Sequence, residues 1–247
     1  MDSEPWRFPE KPRPLRLDRL AFPAGLRVLV LAPHPDDFDE TGLTLRRLRE
    51  LGALLGLLVC SSSANGVEDA FCDPPTNEAK AAIREREQLD SLSFFGLGES
   101  AVEFLRLPVG PAGGYMVDEP ASYRVIESAA ALFRPDLVLL PHGQDTNSDH
   151  RLVFAWWRRL KQALPGEPQA LLFRDPKTID LREDAVFAFG EESAVWKRRL
   201  LLFHRSQQDR NLRTRSEGFD ERILGINREA ASRLGLDEPF AEVFEIG

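Results

Sequence analysis

The chain has 247 residues, is 43% hydrophobic and carries a formal net charge of −8. That supplies the core of one α/β domain, and the acidic balance argues against a nucleic-acid surface, which needs a basic stripe. The two cysteines, Cys60 and Cys72, cannot build a disulfide framework, so a reducing, cytoplasmic setting is expected.

Residues 1–24 are rich in Pro and charge and read as an extended arm ahead of a single catalytic domain over 25–247. The arm lacks an uninterrupted apolar core, so it reads as neither a signal peptide nor a membrane span. No apolar run approaches the roughly 18 to 20 residues of a spanning helix. Short runs rich in Val and Leu follow at 26–32, 54–60, 102–107, 136–141 and 169–173, each bounded by turn residues and read as a strand buried on both faces. Helical patterns lie between them at about 40–51, 77–95, 119–133 and 148–163. Strand alternating with helix predicts a doubly wound, mostly parallel Rossmann-like sheet with helices on both faces. Beyond residue 175 the pattern loosens to a strand at 185–190, a helix at about 191–205, a charged segment with two short helices and a terminal strand in "PFAEVFEIG". The loops 61–76 and 108–118 follow strands and should border the carboxyl edge, where open α/β sheets bind ligands.

The stretch "VLVLAPHPDDFDETGLTL" places His34, Asp36 and Asp37 just past the first strand, at that edge. An imidazole and a carboxylate three residues apart can reach one metal ion across a tight turn stiffened by Pro35. His142 and His150 follow the fourth strand run, which neighbours the first at the switch point of such a sheet. Three of the chain's four histidines are thereby expected to converge. A second reading makes Asp36, Asp37, Asp39 and Glu40 a helix start, where acidic residues are favoured; a cap, however, has no use for His34 and Pro35. A third takes "DFDETGL" as the D-x-D-x-T motif of haloacid-dehalogenase-type Mg²⁺ phosphatases. There the nucleophile directly ends the strand, whereas Pro33, His34, Pro35 and Asp36 separate Asp37 from "VLVLA".

"APHPDD" and "DTNSDHR" resemble the first and second motifs of the PIG-L/LmbE-type N-deacetylases of N-acetylglucosaminyl compounds. "IREREQLDSLSFFGLG" resembles their Arg-x-x-Glu helix, with Arg84 and Glu87. "KRRLLLFHRSQ" resembles their late His-x-Ser-Gln segment, with His204, Ser206 and Gln207. The resemblance spans residues 26 to about 207. It implies a metal-dependent hydrolase that removes acetate from an amino-sugar substrate. His34, Asp37 and His150 would hold Zn²⁺, with Fe²⁺ as the alternative, and Asp36 would be the general base. Three positions depart from the family pattern: Phe38 where Glu is usual, Asn147 where a carbonyl-polarising His is usual, and Val109 where a sugar-binding Asp is usual. These departures also leave open a drifted member that binds metal and saccharide without turnover.

Around that core, Asn147 can donate one hydrogen bond to an oxyanion but no proton, and His142 is the candidate to replace the missing imidazole; otherwise it is a solvent-facing loop residue. Arg84 and His204 are candidate substrate-binding residues. The alternatives are a surface pair of Arg84 with Glu87 or Gln88, and a His204 favoured by a helix C-terminus. Asp145 and Asp149 are expected behind His150 as acceptors, or as ordinary turn residues. A homo-oligomer is left open.

Overall fold

The apolar run after Gly25 forms strand β2 (Arg27–Ala32), and its alternate side chains enter two different cores. Val28, Val30 and Ala32 pack with Phe38, Leu45, Leu48 and Phe95 on one face; Leu29 and Leu31 pack with Ile126, Val153 and Trp156 on the other. A strand covered on both faces needs apolar residues at every position, which is why it reads as a continuous run. Each fully buried Val or Leu contributes about 1.5–3 kcal/mol.

The computed structural model describes residues 5–10, 12–110 and 114–247. The remaining strands are β1 (Leu15–Arg16), β3 (Leu54–Val59), β4 (Val102–Phe104), β5 (Leu137–Pro141), β6 (Gln169–Phe173), β7 (Ala185–Phe189) and β8 (Phe240–Ile246). They form one sheet in the order β1-β7-β8-β6-β5-β2-β3-β4. Every neighbouring pair is parallel except β6–β8 and β7–β8, where the terminal strand runs against its neighbours. The helices are α1 (Asp37–Glu40), α2 (Gly42–Glu50), α3 (Asn77–Phe95), α4 (Pro120–Phe133), α5 (Ser148–Ala163), α6 (Glu191–Leu201), α7 (Arg205–Arg215) and α8 (Phe219–Arg233). Helices α2, α3 and α6 cover one face of the sheet, and α4 and α5 the other. The expected doubly wound α/β fold is the one observed. Among the described residues no helix is long and apolar enough to cross a membrane.

Two features differ from the sequence reading. Residues 15–16 of the expected arm pair with β7 and become the outermost strand. Phe8, Leu15, Leu17 and Phe22 of the same segment join the main core, and the Trp6 and Phe8 rings meet edge to face at 4.6 Å. A Pro-rich stretch hides such an edge strand, because Pro suits positions that need no ladder donor. Terminal strand β8, for its part, inserts between β6 and β7, a pairing that no local pattern encodes.

Strands β2 and β5 are adjacent, with Leu29 opposite Val138. From this pair the chain winds outward in both directions, so their carboxyl ends frame the crevice. A buried ion pair fixes the floor beneath it. Lys197 Nζ, fully buried, bonds to Glu242 Oε1 (2.7 Å), Asn227 Oδ1 (2.9 Å) and the carbonyl of Glu40 (2.6 Å). The Glu242 carboxylate also accepts from the backbone N–H groups of Leu43 and Thr44 at the start of α2. The pair thus ties the α1–α2 junction to β8. Lys197→Met is expected to cost about 3–5 kcal/mol of unfolding free energy, because it strands a buried carboxylate. Urea denaturation measures this; a loss near zero would show that Lys197 is dispensable to the junction.

Candidate active site

Strand β2 stops because Pro33 and Pro35 offer no N–H to continue the ladder. The chain then turns tightly, with the Asp36 N–H donating to the His34 carbonyl at 3.0 Å, and enters α1 at once. The Asp37 carboxylate folds back so that Oδ2 accepts the His34 N–H at 2.7 Å. Strand β5 ends at Pro141. Beyond it Gly143 passes so close to Phe154 that a Cβ there would lie 2.1 Å from the ring. The chain reaches α5 with the Asn147 side chain accepting the Asp149 N–H at 3.0 Å as its N-cap.

These two turns bring His34, Asp37 and His150 together, with one donor atom of each within 4.8 Å of the others. His34 Nδ1 lies 3.7 Å from Asp37 Oδ2, and His150 Nε2 lies 3.5 Å from Asp37 Oδ1. The outer ring nitrogens are both engaged. His34 Nε2 meets Asp149 Oδ2 at 3.0 Å, and His150 Nδ1 meets Asp145 Oδ2 at 3.1 Å. Asp149 therefore backs His34 rather than His150, and only Asp145 stands behind His150. Asp145 is also a turn residue, accepting the Asn147 N–H through Oδ1. Two imidazoles and one carboxylate, each imidazole oriented by an acid on its far side, suit a catalytic zinc-type ion with an open position.

Asp36 stands beside this triad on the wall of the cavity. Arg84, almost wholly buried, donates to Asp36 Oδ1 at 2.9 Å. Burial would push the Asp36 carboxyl up, but Arg84, His204 and His34 outweigh it and hold it below the usual carboxylate range. Asp36 is thus kept ionised. Arg84 is neither a surface residue nor a partner of Glu87; it lines the cavity while anchoring Asp36.

The acidic run after Asp37 is not a cap. Asp36 occupies the N-cap position of α1 without any side-chain capping bond, and Asp37, Phe38, Asp39 and Glu40 are all buried. Asp39 Oδ2 meets His204 Nε2 at 2.5 Å and also accepts from Gln88 and Ser91. Burial lowers the pKa of His204, but Asp39 and Asp36 outweigh it and raise it. His204 itself is the N-cap residue of α7, fully buried. The expectation of a residue at a helix C-terminus is therefore corrected, and with Nε2 spent on Asp39 the ring sits beneath the cavity rather than in it. Glu87 accepts from the Ser206 backbone at 2.7 Å and from its hydroxyl at 2.6 Å, while Gln207 donates to the Gly66 carbonyl at 2.9 Å. The Arg-x-x-Glu and His-x-Ser-Gln segments thus interlock behind the first motif.

His142 does not turn toward this cavity. Its Nδ1 accepts the Gln144 N–H at 3.1 Å, its Nε2 lies 3.4 Å from Glu245 on β8, and its ring packs on Phe154. It is buried, not solvent-facing, and the proposed substitute for the missing imidazole is elsewhere. Asn147 does line the cavity, with its side-chain oxygen engaged in the cap.

The sequence reading missed Glu40, Asp175 and Lys177, which share the cavity with the triad. Burial and the carboxylates of Asp175, Asp37 and Asp36 raise the Glu40 pKa well above its ordinary value, and Oε2 has no partner. Spacing could have found Glu40, since positions three apart share a helical face. Asp175 and Lys177 follow β6, which pairs with β5, so they obey the same carboxyl-edge rule that located His142 and His150.

A family model described as PIG-L, GlcNAc-PI de-N-acetylase, matches residues 29–160, more than half of the chain. The chain belongs to the PIG-L family. The family is described by a sugar de-N-acetylase activity, and membership removes the haloacid-dehalogenase reading of "DFDETGL". No curated protein matches the chain by sequence. Among solved structures, the chain resembles N,N'-diacetylchitobiose deacetylase from Pyrococcus horikoshii, at 18% identity and TM-score 0.69 over 89% of this chain and 83% of that one. The 4-carboxy-2-hydroxymuconate hydratase of Pseudomonas putida is similar at 17% identity and TM-score 0.70, covering 91% and 96%. The zinc-inhibited form of a teicoplanin deacetylase follows at 15% identity and TM-score 0.66, covering 90% and 98%. At such identities the likeness is one of fold, and this PIG-L fold carries a hydratase as well as deacetylases.

Proposed function

We propose that the chain is a metal-dependent N-deacetylase that hydrolyses the acetamide of an N-acetylglucosamine-like sugar or glycoside to acetate and a free amine. The observation that carries it is the triad of His34, Asp37 and His150 beside an ionised Asp36 in a cavity of about 190 Å³. Zn²⁺, or Fe²⁺ in its place, would be held by the triad; when bound, it supplies Lewis acidity toward water and the amide carbonyl. Asp36 accepts a proton from the attacking water and returns it to the nitrogen as the C–N bond breaks. Arg84 keeps the carboxylate aimed. The Asn147 amide donates to the carbonyl oxygen as charge develops there.

Asp145→Asn and Asp149→Asn are each expected to weaken metal binding about 10–100-fold, since each removes the acceptor that orients one imidazole. Competition with a chromophoric chelator reads this; unchanged affinity in both would remove the two acids from the scheme.

The metal effect on stability should depend on pH. Burial lowers the His150 pKa, but Asp37, Asp145 and Asp175 outweigh it and push it up to about 9. A raised pKa stabilises the metal-free fold fully below the unfolded value near 6.5, and that contribution is lost as pH rises through about 9. Asp175, pushed up to about 6 by burial and Asp145, acts with the same sign at lower pH. Metal displaces the His150 proton, so affinity should rise by up to about tenfold per pH unit in this window. Accordingly, the Tm increase caused by buffered zinc is expected to grow from pH 6.5 toward about 8.5. A flat or falling increment would contradict the assignment of His150.

A second reading is favoured by the departure at Asn147 and by the hydratase among the structural neighbours: addition of water to a carbon–carbon double bond through the same triad and base. Amine release from a panel of N-acetylated sugars and glycosides decides between them. Release supports the deacetylase; loss of a conjugated absorbance without amine release supports the hydratase; full metal occupancy with neither supports a binding protein.

A further inference from the structure

The cavity that holds the triad has, away from it, one wall of unusual charge for a chain of net charge −8. The hollow of about 190 Å³ that holds the triad, with Glu40 and Asp175 on its acidic side, extends toward α7 and α8, where Arg215 and Arg222 close it. It shares His34, Asp36, Lys177 and Arg210 with an adjoining hollow of about 230 Å³. Arg222 Nη1 donates to the buried Asn211 Oδ1 at 2.6 Å, and Arg215 Nη1 reaches the same oxygen at 3.5 Å. One amide oxygen therefore holds two guanidinium groups side by side. Partial burial, and then the neighbouring Arg222 charge, lower the Arg215 pKa. Among the described residues neither arginine, nor Lys177, has a carboxylate at ion-pair distance; Arg210 has only a half-exposed Glu68 at 3.5 Å. Other partly exposed arginines, such as Arg16, Arg182 and Arg233, each meet a carboxylate at ion-pair distance. Leaving these four cations together costs like-charge repulsion, and a bidentate anion would relieve it.

We propose that the substrate carries a second functional group, a carboxylate or phosphate, which docks against Arg215 and Arg222 with Lys177 and Arg210 flanking it while the acetamide lies at the triad. This rests on the deacetylase reading and names its substrate class: an anionic amino-sugar derivative rather than a neutral oligosaccharide. The wall selects among substrates, and the bond cleaved is unchanged.

The test is a binding titration of Asp36→Asn protein loaded with zinc, which turns ligand over too slowly to deplete it during the titration. The probes are N-acetylglucosamine, N-acetylglucosamine 1-phosphate and the carboxymethyl glycoside of N-acetylglucosamine. A charged probe is expected to bind about tenfold or more tightly than the neutral sugar at low salt, an advantage that shrinks as salt screens it. That advantage should disappear in the added Arg215→Gln/Arg222→Gln background and in Arg215→Glu, a charge reversal at an exposed position, with circular dichroism confirming that each variant folds. The stronger charged probe identifies the anion. Equal binding of neutral and charged probes, or an advantage that survives both backgrounds, would overturn the proposal. Amine release by the parent protein separates the two claims. Tight charged-probe binding without amine from any probe keeps the anion site and removes the deacetylase; amine release with no charge preference does the reverse.

Discussion

Asp36→Asn protein should keep its metal and release amine about 10²–10⁴-fold more slowly than the parent, the usual worth of a positioned base. Asn conserves volume and can still accept from Arg84, so the substitution removes proton affinity while leaving the wall of the cavity in place. The parent carboxylate is held ionised by Arg84, which makes it ready to accept a proton near neutral pH. The same pairing lowers its basicity, so Arg84 must give ground as the proton moves. For that reason kcat should fall far more than KM changes, because the lost interaction belongs to the transition state. Metal lost along with activity would instead make Asp36 a ligand.

His34→Ala and His150→Ala are expected to lose metal and activity together. Removing an acceptor behind a ligand costs about 10–100-fold in affinity, and removing the ligand itself costs more. The two substitutions come from turns after different strands, β2 and β5, so a common loss would show that both turns serve one ion. Metal analysis after gel filtration, with circular dichroism to confirm the fold, gives the result. Stoichiometric metal retained in His34→Ala would place the ion elsewhere, for which Asp145, His150 and Asp175 form the other cluster, and metal retained in His150→Ala would exclude both clusters.

The central strands were legible because a strand buried on both faces must be apolar at every position, as in "RVLVLA" and "LVLLP". The terminal strand was legible as a strand, but its place between β6 and β7 was not, since an antiparallel insertion depends on contacts remote in sequence. At the site, proximity was legible and direction was not. Histidines after two neighbouring strands had to lie at one edge, yet His150 points inward and His142 points toward Glu245 because Gly143 and Phe154 fix the turn between them. "DDFDE" misled for a different reason. Acidic residues at a helix start are favoured when the end is exposed, and here the whole turn is buried, so Asp39 partners His204 and Glu40 enters the cavity. Lys177 and Arg222 lay in charged segments that resemble any solvated surface until the fold curls them around one hollow.

The most direct measurement is acetate release as zinc is titrated into the metal-stripped protein with an N-acetylglucosaminide present. Triad and base together predict release that rises linearly to one equivalent of metal per chain and is absent without it. Acetate released equally by the stripped protein, or none at full occupancy from any N-acetylated probe, would contradict it.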